Sequence, residues 1–434
     1  MSDDPSKTPP RGRIIIPGQE PPREESAGGP DAPAGAPPPR SRIVLPPGVS
    51  RDEDADVPEF PKLRPLVLLP VRDGQRDLLV VSDPMGVIPG QPVLALEALG
   101  LMQLFDGHTS INDITAAIMQ ENKDLRMSGM VKDFVRQLDE LLMLESPRYH
   151  KALQALRDAY HPLEIRQAMF GGRSYPSDPE QLRGYLDAHF EAAEKLRGEE
   201  DGADAGAGTL PRAVMAPHLD PRRAGRMIAR GILALDDGSR APLRVVVVGT
   251  GHSLFGDTFA LTRKHFETPL GRVECDIPFV DQVAARLGDL AYRGELAHRE
   301  EHSIEFMAVY LRHRFGDRVK IVPILVGGFH ALLDEGMKPA DDTGLATLIE
   351  AIRDTEKRLG GRTAYLAAVD LSHVGPRFGD ATVDDRTRDE VEAKDKAAIG
   401  AAVKAEADTW FDTIAAHDDS TRICGLGPTY AMLR

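Results

Sequence analysis

Hydrophobic positions change their spacing several times along the chain, and each change predicts a different kind of element. Residues 1 to 60 carry little sustained apolar pattern: proline, glycine, alanine and charged residues fill them, and such a stretch cannot bury enough apolar surface to offset the entropy of ordering. A disordered proline-rich tail is expected. Within it Arg11 to Pro17 and Arg40 to Pro46 share the order Arg-x-Arg, three aliphatics, Pro. The plain reading is two chance triplets; the sharper one is a pair of short segments able to add a strand to a sheet edge, such as that of the hairpin that follows. From Pro61 the texture becomes globular. Pro65 to Pro70 and Asp77 to Val81 predict a hairpin around Arg72, Asp73 and Gly74. Leu94, Leu96, Leu99, Leu101, Met102 and Leu104 predict one helix, and Ser110 or Thr109 caps a second through Ile111, Ile114 and Ile118. A third carries Val131, Phe134, Val135, Leu138, Leu141 and Leu142.

Residues 146 to 208 are expected to be a helical linker, with Tyr185, Leu186, Phe190 and Leu196 as its apolar stripe and a flexible joint from Gly202 to Gly208. Beyond it, residues 213–216, 245–248, 321–326 and 364–369 are nearly continuous apolar runs separated by helical periodicity. That pattern predicts strands buried on both faces, and hence an α/β domain over residues 209–434 whose sheet is covered by helices.

Composition narrows the choices. The chain has 434 residues, 41% hydrophobic and 28% charged, enough to bury two or three cores. A net charge of −15 offers no broad positive field, so nucleic acid and anionic membrane surfaces are not expected partners. No apolar run has the roughly 20 residues of a membrane helix, and the start Met1-Ser2-Asp3-Asp4-Pro5 lacks the order of a signal peptide. Two cysteines cannot make a disulfide framework, so Cys275 and Cys424 read as thiols of a cytoplasmic protein.

Residues 61 to 145 combine a hairpin with three helices, and "LFDGHTSINDITAAI" (104–118) followed by "VKDFVRQLDELLML" (131–144) resembles the PqqD-like winged-helix domains. The resemblance implies a small α+β domain that docks a peptide. Acidic residues outnumber basic ones there, which is the wrong footprint for a DNA-binding winged helix.

The chemistry concentrates in the second half. Three strand ends run directly into histidine: Pro217-His218, Gly249-Thr250-Gly251-His252 and Asp370-Leu371-Ser372-His373. Ligands of α/β sheets gather outside the carboxyl ends of strands, so the three imidazoles are expected to converge on one crevice, and imidazole is the commonest protein metal ligand. A helix opening near Glu300 supplies Glu301, His302 and Glu305, with 301 and 305 one turn apart on a shared face. His298 to His302 also fits H-x-x-E-H, an inverted zinc-protease pattern, and a solvated charged face is the plain alternative for this helix. Cys424 precedes Gly425-Leu426-Gly427-Pro428, the start of a helix, a setting that favours thiolate. Cys275 lacks that setting and is assigned to packing.

Residues from about 165 to 434 resemble the Memo family, the Memo component of the AmmeMemoRadiSam system. The match rests on "FGGRSYPSDPEQLRGYL" (170–186), "APHLD" (216–220), the long run from "VVVVGTGHSLFGD" to "VECD" (245–276), "EHSIEF" (301–306), "VPILVG" (322–327), "DLSHVG" (370–375) and "CGLGPTYAML" (424–433). The resemblance implies a fold like that of class III extradiol dioxygenases, metal ligands at His218, His252 and Cys424, and pocket neighbours at His302, Asp370 and His373. It also implies work alongside a radical SAM enzyme and an AMMECR-type protein. Leu219-Asp220-Pro221 stands where family members often have Ala-Gly-Tyr, so the pocket floor is expected to differ. The chain reaches Arg434 on the first helix after Cys424, where the family usually continues with sheet, so a fragment or shortened variant is expected.

Two imidazoles and a thiolate make a softer facial set than two histidines and a carboxylate; iron(II) or copper suits it, with zinc left open. His302 or His373 is placed as general acid/base, and Asp370 as the acceptor that fixes an imidazole tautomer. The expected function is redox or modifying chemistry at this site. The alternatives are a non-catalytic peptide- or partner-binding protein with a vestigial crevice, an extradiol dioxygenase and a zinc protease.

Overall fold

The structure is a computed structural model, and it describes residues 57–74, 76–122, 127–204 and 211–434. The tail up to residue 56, with both aliphatic triplets, lies outside the described residues. The chain divides into two units, Met1–Ala159 and Tyr160–Arg434.

In the first unit β1 (Val67–Asp73), β2 (Arg76–Ser82) and β3 (Val93–Ala95) form an antiparallel sheet in that order. Four helices follow: α1 (Ala98–Met102), α2 (Ile111–Asn122), α3 (Met127–Glu140) and α4 (Pro147–Tyr160). Leu94 was expected in a helix and lies in β3, paired with Leu79. Its neighbours Val93 to Leu96 follow a proline and can alternate between faces, and cross-strand pairing outweighs the helical spacing that begins only at Ala98. Ser110 caps α2, its Oγ accepting the Asp113 N–H at 3.1 Å. Leu79, Val81, Leu101, Met102, Ile114, Ile118, Val131 and Leu138 are buried as the core. The buried Arg64 guanidinium pairs with Asp83 and donates through Nε to the Leu142 carbonyl at 2.6 Å.

The second unit opens with β4 (Ile165–Arg166) and α5 (Pro179–Asp204), so the expected linker contains a strand, and residues 202–204 of the expected joint continue the helix. Then come β5 (Ala213–Ala216), α6 (Pro221–Ala234), β6 (Leu243–Thr250), β7 (Phe259–Leu261), β8 (His265–Phe266), β9 (Glu274–Cys275), α7 (Ile277–Leu287), α8 (His302–Phe315) and β10 (Val319–Val326). α9 (His330–Asp334), α10 (Thr343–Leu359), β11 (Thr363–Ala368), α11 (Asp385–Val403), α12 (Ala407–Ala415) and α13 (Leu426–Leu433) complete it.

The main sheet has the order β5-β11-β6-β10-β7, with β9 also paired to β10. β5, β11, β6 and β10 run parallel, whereas β7 is antiparallel to β10. The pleat divides β6 between two cores: Val245 and Val247 join α5, α6 and α8 on one face, and Val246 and Val248 join α7, α10, α12 and α13 on the other. All four valines are buried, each worth roughly 1.5–3 kcal/mol of hydrophobic stabilisation. Helix starts follow local chemistry. Asp220 caps α6, with Pro221 in its first turn, and Asp276 and Asp342 cap α7 and α10. Among the described residues no helix is long and apolar enough to cross a membrane.

Candidate metal centre

Parallel strands end at one edge of the sheet, and the residues just past those ends meet there. β5 runs into Pro217-His218, β6 into Gly251-His252 and β11 into Val369-Asp370, while Cys424 sits immediately before α13. Ligand atoms of His218, His252 and Cys424 lie within 4.8 Å of one another. Cys424 Sγ is 3.4 Å from His218 Nε2. The His218 ring is buried and its Nδ1 donates to the Ala368 carbonyl at 2.8 Å, which leaves Nε2 as a lone pair facing the thiol. Burial, with the neighbouring His252 and His302 rings, pushes His218 down to about 3, so it is neutral and ready to ligate.

The opening of α8 supplies the opposite wall. Glu301 precedes the helix in extended conformation and caps it, accepting the Ser303 N–H at 2.9 Å. Both of its oxygens also reach His252: the ring Nδ1 is 3.1 and 3.0 Å away, and the His252 backbone N–H is 3.1 Å from Oε2. His302 Nδ1 lies 3.2 Å from Oε1. The three imidazoles form a near-equilateral triangle, with ring centroids 4.9 to 5.0 Å apart. Burial works against charge on His252, but Glu301 and Cys424 together more than offset it and hold the ring up at about 10. In return His252, joined by His302 and the Ser303 N–H, outweighs the burial of Glu301 and keeps that carboxyl below the usual carboxylate range. His302 is lowered by burial.

Asp370 ties two of the loops together. Its Oδ1 accepts the His218 N–H at 3.1 Å, Oδ2 is 3.6 Å from His218 Nε2, and its carbonyl accepts the Gly425 N–H at 3.1 Å beside Cys424. Burial raises its pKa. The third strand-end histidine behaves differently. His373 bonds through Nδ1 to the Arg422 carbonyl, stacks edge-on against Phe378, and belongs to neither ligand grouping.

Three other expectations change. Glu301 and Glu305 do not act as a pair: Glu301 turns to the imidazoles, while Glu305 is fully buried against Arg166 and Tyr175 and accepts the Met169 and Phe170 N–H groups. His298 does not join His302, which removes the protease pattern, because it sits in a separate 3-10 turn, buried, with Nε2 bonded to the Ala260 carbonyl. The Leu219-Asp220-Pro221 departure serves the backbone, since Asp220 caps α6 and Leu219 is 42% exposed.

Sequence reasoning singled out Glu301 only as a partner of Glu305 and as part of the H-x-x-E-H pattern, and it assigned no role to Arg166 or Phe170. Arg166 staples the start of α8 by donating to the His298 and Glu301 carbonyls at 3.0 and 2.8 Å. Phe170 lies edge-on to His302, with centroids 5.8 Å apart. Gly249 admits α8 directly onto β6, since a Cβ there would stand 2.6 Å from Ile304 and Ser303 side-chain atoms. The signal available for Glu301 was its place directly before the helix, where an acidic side chain caps.

Taken together, a mixed, mainly parallel sheet with two imidazoles and one thiol gathered at its parallel strand ends defines an α/β protein with a candidate mononuclear metal centre. Residues 166–434 match the family model described as Memo-like protein, and the chain belongs to that family. It is 25% identical to a MEMO1 family protein of Aquifex aeolicus over 361 residues, 82% of this chain and 87% of that protein. A MEMO1 family protein of Thermus thermophilus is 28% identical over 333 residues, 76% of this chain and 90% of that protein. One from Pyrococcus furiosus is 31% identical over 220 residues, 50% of this chain and 67% of that protein. The first two matches are too long to fit within residues 166–434, so both reach into the N-terminal unit.

Proposed function

We propose that the chain is a cytoplasmic Memo-type metal protein that holds a single iron(II) or copper ion through His218, His252 and Cys424 and carries out redox or modifying chemistry on a bound substrate. The observation that supports this reading is the mutual approach of those three ligand atoms, within 4.8 Å, on three separate loops. Two imidazole nitrogens and a sulfur suit a borderline or soft ion, with His252 releasing a proton as it ligates, and zinc is the competing occupant. Bound there, the ion would supply a Lewis-acidic centre with open coordination positions.

The surrounding residues supply the rest. Asp370 holds the His218 backbone and the Cys424 loop in register, and Glu301 orients His252. His302, lowered by burial and flanked by Phe170 and Phe306, is the ring able to take a proton from a substrate at this wall. On this reading the second unit shares its architecture with class III extradiol dioxygenases, and the first is a PqqD-like winged-helix module that docks a peptide. The partners would be a radical SAM enzyme and an AMMECR-type protein.

The test is to load the full chain anaerobically with iron(II) or copper(I), count metal per chain by mass spectrometry, and follow oxygen uptake with catechols. A single ion, lost in His218→Ala, supports the reading. Failure of the wild-type chain to retain either ion refutes it, and catechol-dependent oxygen uptake would reassign the reaction to a dioxygenase.

A further inference from the structure

The Glu301 carboxylate is surrounded by donors. It is 3% exposed and meets the His252 backbone N–H, the His252 ring Nδ1, the Ser303 backbone N–H and, at 3.2 Å, the His302 ring Nδ1. An ionised carboxylate is acceptor-only, with about four lone-pair sites. Every imidazole nitrogen that faces it is therefore satisfied best as N–H. For His252 that fixes the proton on Nδ1 and leaves Nε2, on the far edge of the ring, as the atom offered to the Cys424 side. His218 reaches the same arrangement by another route, through its Nδ1 bond to the Ala368 carbonyl. Backbone geometry alone does not choose between the two nitrogens of His252, whose side chain is 37% exposed.

We propose that Glu301 is a positioning residue: by holding Nδ1–H of His252, and standing against Nδ1 of His302, it commits His252 to ligate through Nε2 and sets both rings before any ion arrives. Carboxylate–histidine pairs of this kind govern metal affinity, and removing the carboxylate typically costs 10–100-fold. The inference rests on the metal-site reading for its consequence, but its core is a statement about the metal-free protein.

The experiment uses the full-length chain labelled with 15N-histidine. Metal-free protein is examined for an exchange-protected His252 Nδ1 proton, and zinc-loaded protein for the nitrogen that bears the ion. The wild type is expected to show the Nδ1 proton in both states and zinc on Nε2. Glu301→Ala is expected to lose the proton and to bind zinc about 10–100-fold more weakly. Glu301→Gln keeps one carbonyl oxygen for Ser303 but turns an amide N–H₂ toward donors, so it is expected to restore the stability of α8 while leaving zinc affinity between the other two. A residue that merely capped the helix would be rescued by glutamine in every measure.

Glu295→Gln makes the same change at a buried carboxylate bound to Thr262 and Lys264, and is expected to leave His252 and zinc affinity unaltered. Coordination of wild-type His252 through Nδ1, or absence of the protected proton, overturns the proposal even if no variant folds. Failure of the wild type to bind zinc, iron(II) or copper(I) would sink the metal reading alone, and the metal-free spectrum would still decide the role of Glu301.

Discussion

Two thiols in one chain meet opposite surroundings. Cys275 is buried on β9, its Sγ lies 3.7 Å from the Thr262 carbonyl, and burial pushes its pKa up, so it remains an inert thiol. Cys424 is half-buried beside a neutral imidazole, with Sγ also 3.6 Å from the Asp370 carbonyl. Serine keeps the size of either side chain but replaces a soft sulfur with a hard oxygen. Cys424→Ser is therefore expected to lower copper(I) affinity by at least about tenfold, in line with the loss of a ligand interaction, whereas Cys275→Ser leaves it unchanged. Competition titration against a chromogenic copper(I) chelator measures both. Equal affinities in the two variants would remove Cys424 from the ligand set.

At the scale of elements, the site depends on how closely α13 approaches the end of β10. A Cβ on Gly427 would stand 2.0 Å from the Gly327 carbonyl oxygen, a backbone atom that cannot swing aside. Gly400, inside α11, has open space around its Cβ position. Gly427→Ala is expected to cost about 1–3 kcal/mol through overpacking and to weaken metal binding by shifting the Cys424 loop. Gly400→Ala is expected to gain about 0.5–1 kcal/mol from helix propensity. Thermal melts of the two variants read these opposite signs, and a shared sign would show that α13 is less tightly seated than described.

The four parallel strands were legible because burial on both faces leaves continuous apolar runs, and His218, His252 and Cys424 because strand ends and a Gly-Pro helix start mark themselves. Leu94 was misread since a three-residue strand has too few positions to declare its period. Glu301 escaped for a different reason: helical spacing pairs it with Glu305, but as a cap it lies outside the helix and its side chain turns the other way. His373 shows the limit of positional reasoning, since a loop three residues longer than that of His218 carries its ring to Arg422 instead.

For the molecule as a whole, buried histidines make stability depend on pH in a definite direction. The net charge is −15 with a pI near 5.4, so mild acid removes overall repulsion and would by itself favour the compact state. Buried imidazoles oppose that trend. His298 is 1% exposed, its Nε2 bonds to the Ala260 carbonyl, its Nδ1 has no hydrogen-bond partner among the described residues, and burial pushes it down to about 4. In the unfolded chain it titrates near about 6.5. Between those values the unfolded state binds the extra proton, so stability is fully present above about pH 6.5 and is lost as pH falls toward about 4. The full contribution is about 3 kcal/mol, and at pH 5 about 2 kcal/mol of it is already gone. His298→Gln keeps an amide donor for Ala260 without a titrating ring. Urea unfolding at pH 7 and pH 5 is expected to show a wild-type loss exceeding that of the variant by about 2 kcal/mol, with His218 contributing equally to both chains. Parallel losses would mean that His298 reaches water in the folded protein, and the tight seating of the 3-10 turn before α8 would have to be revised.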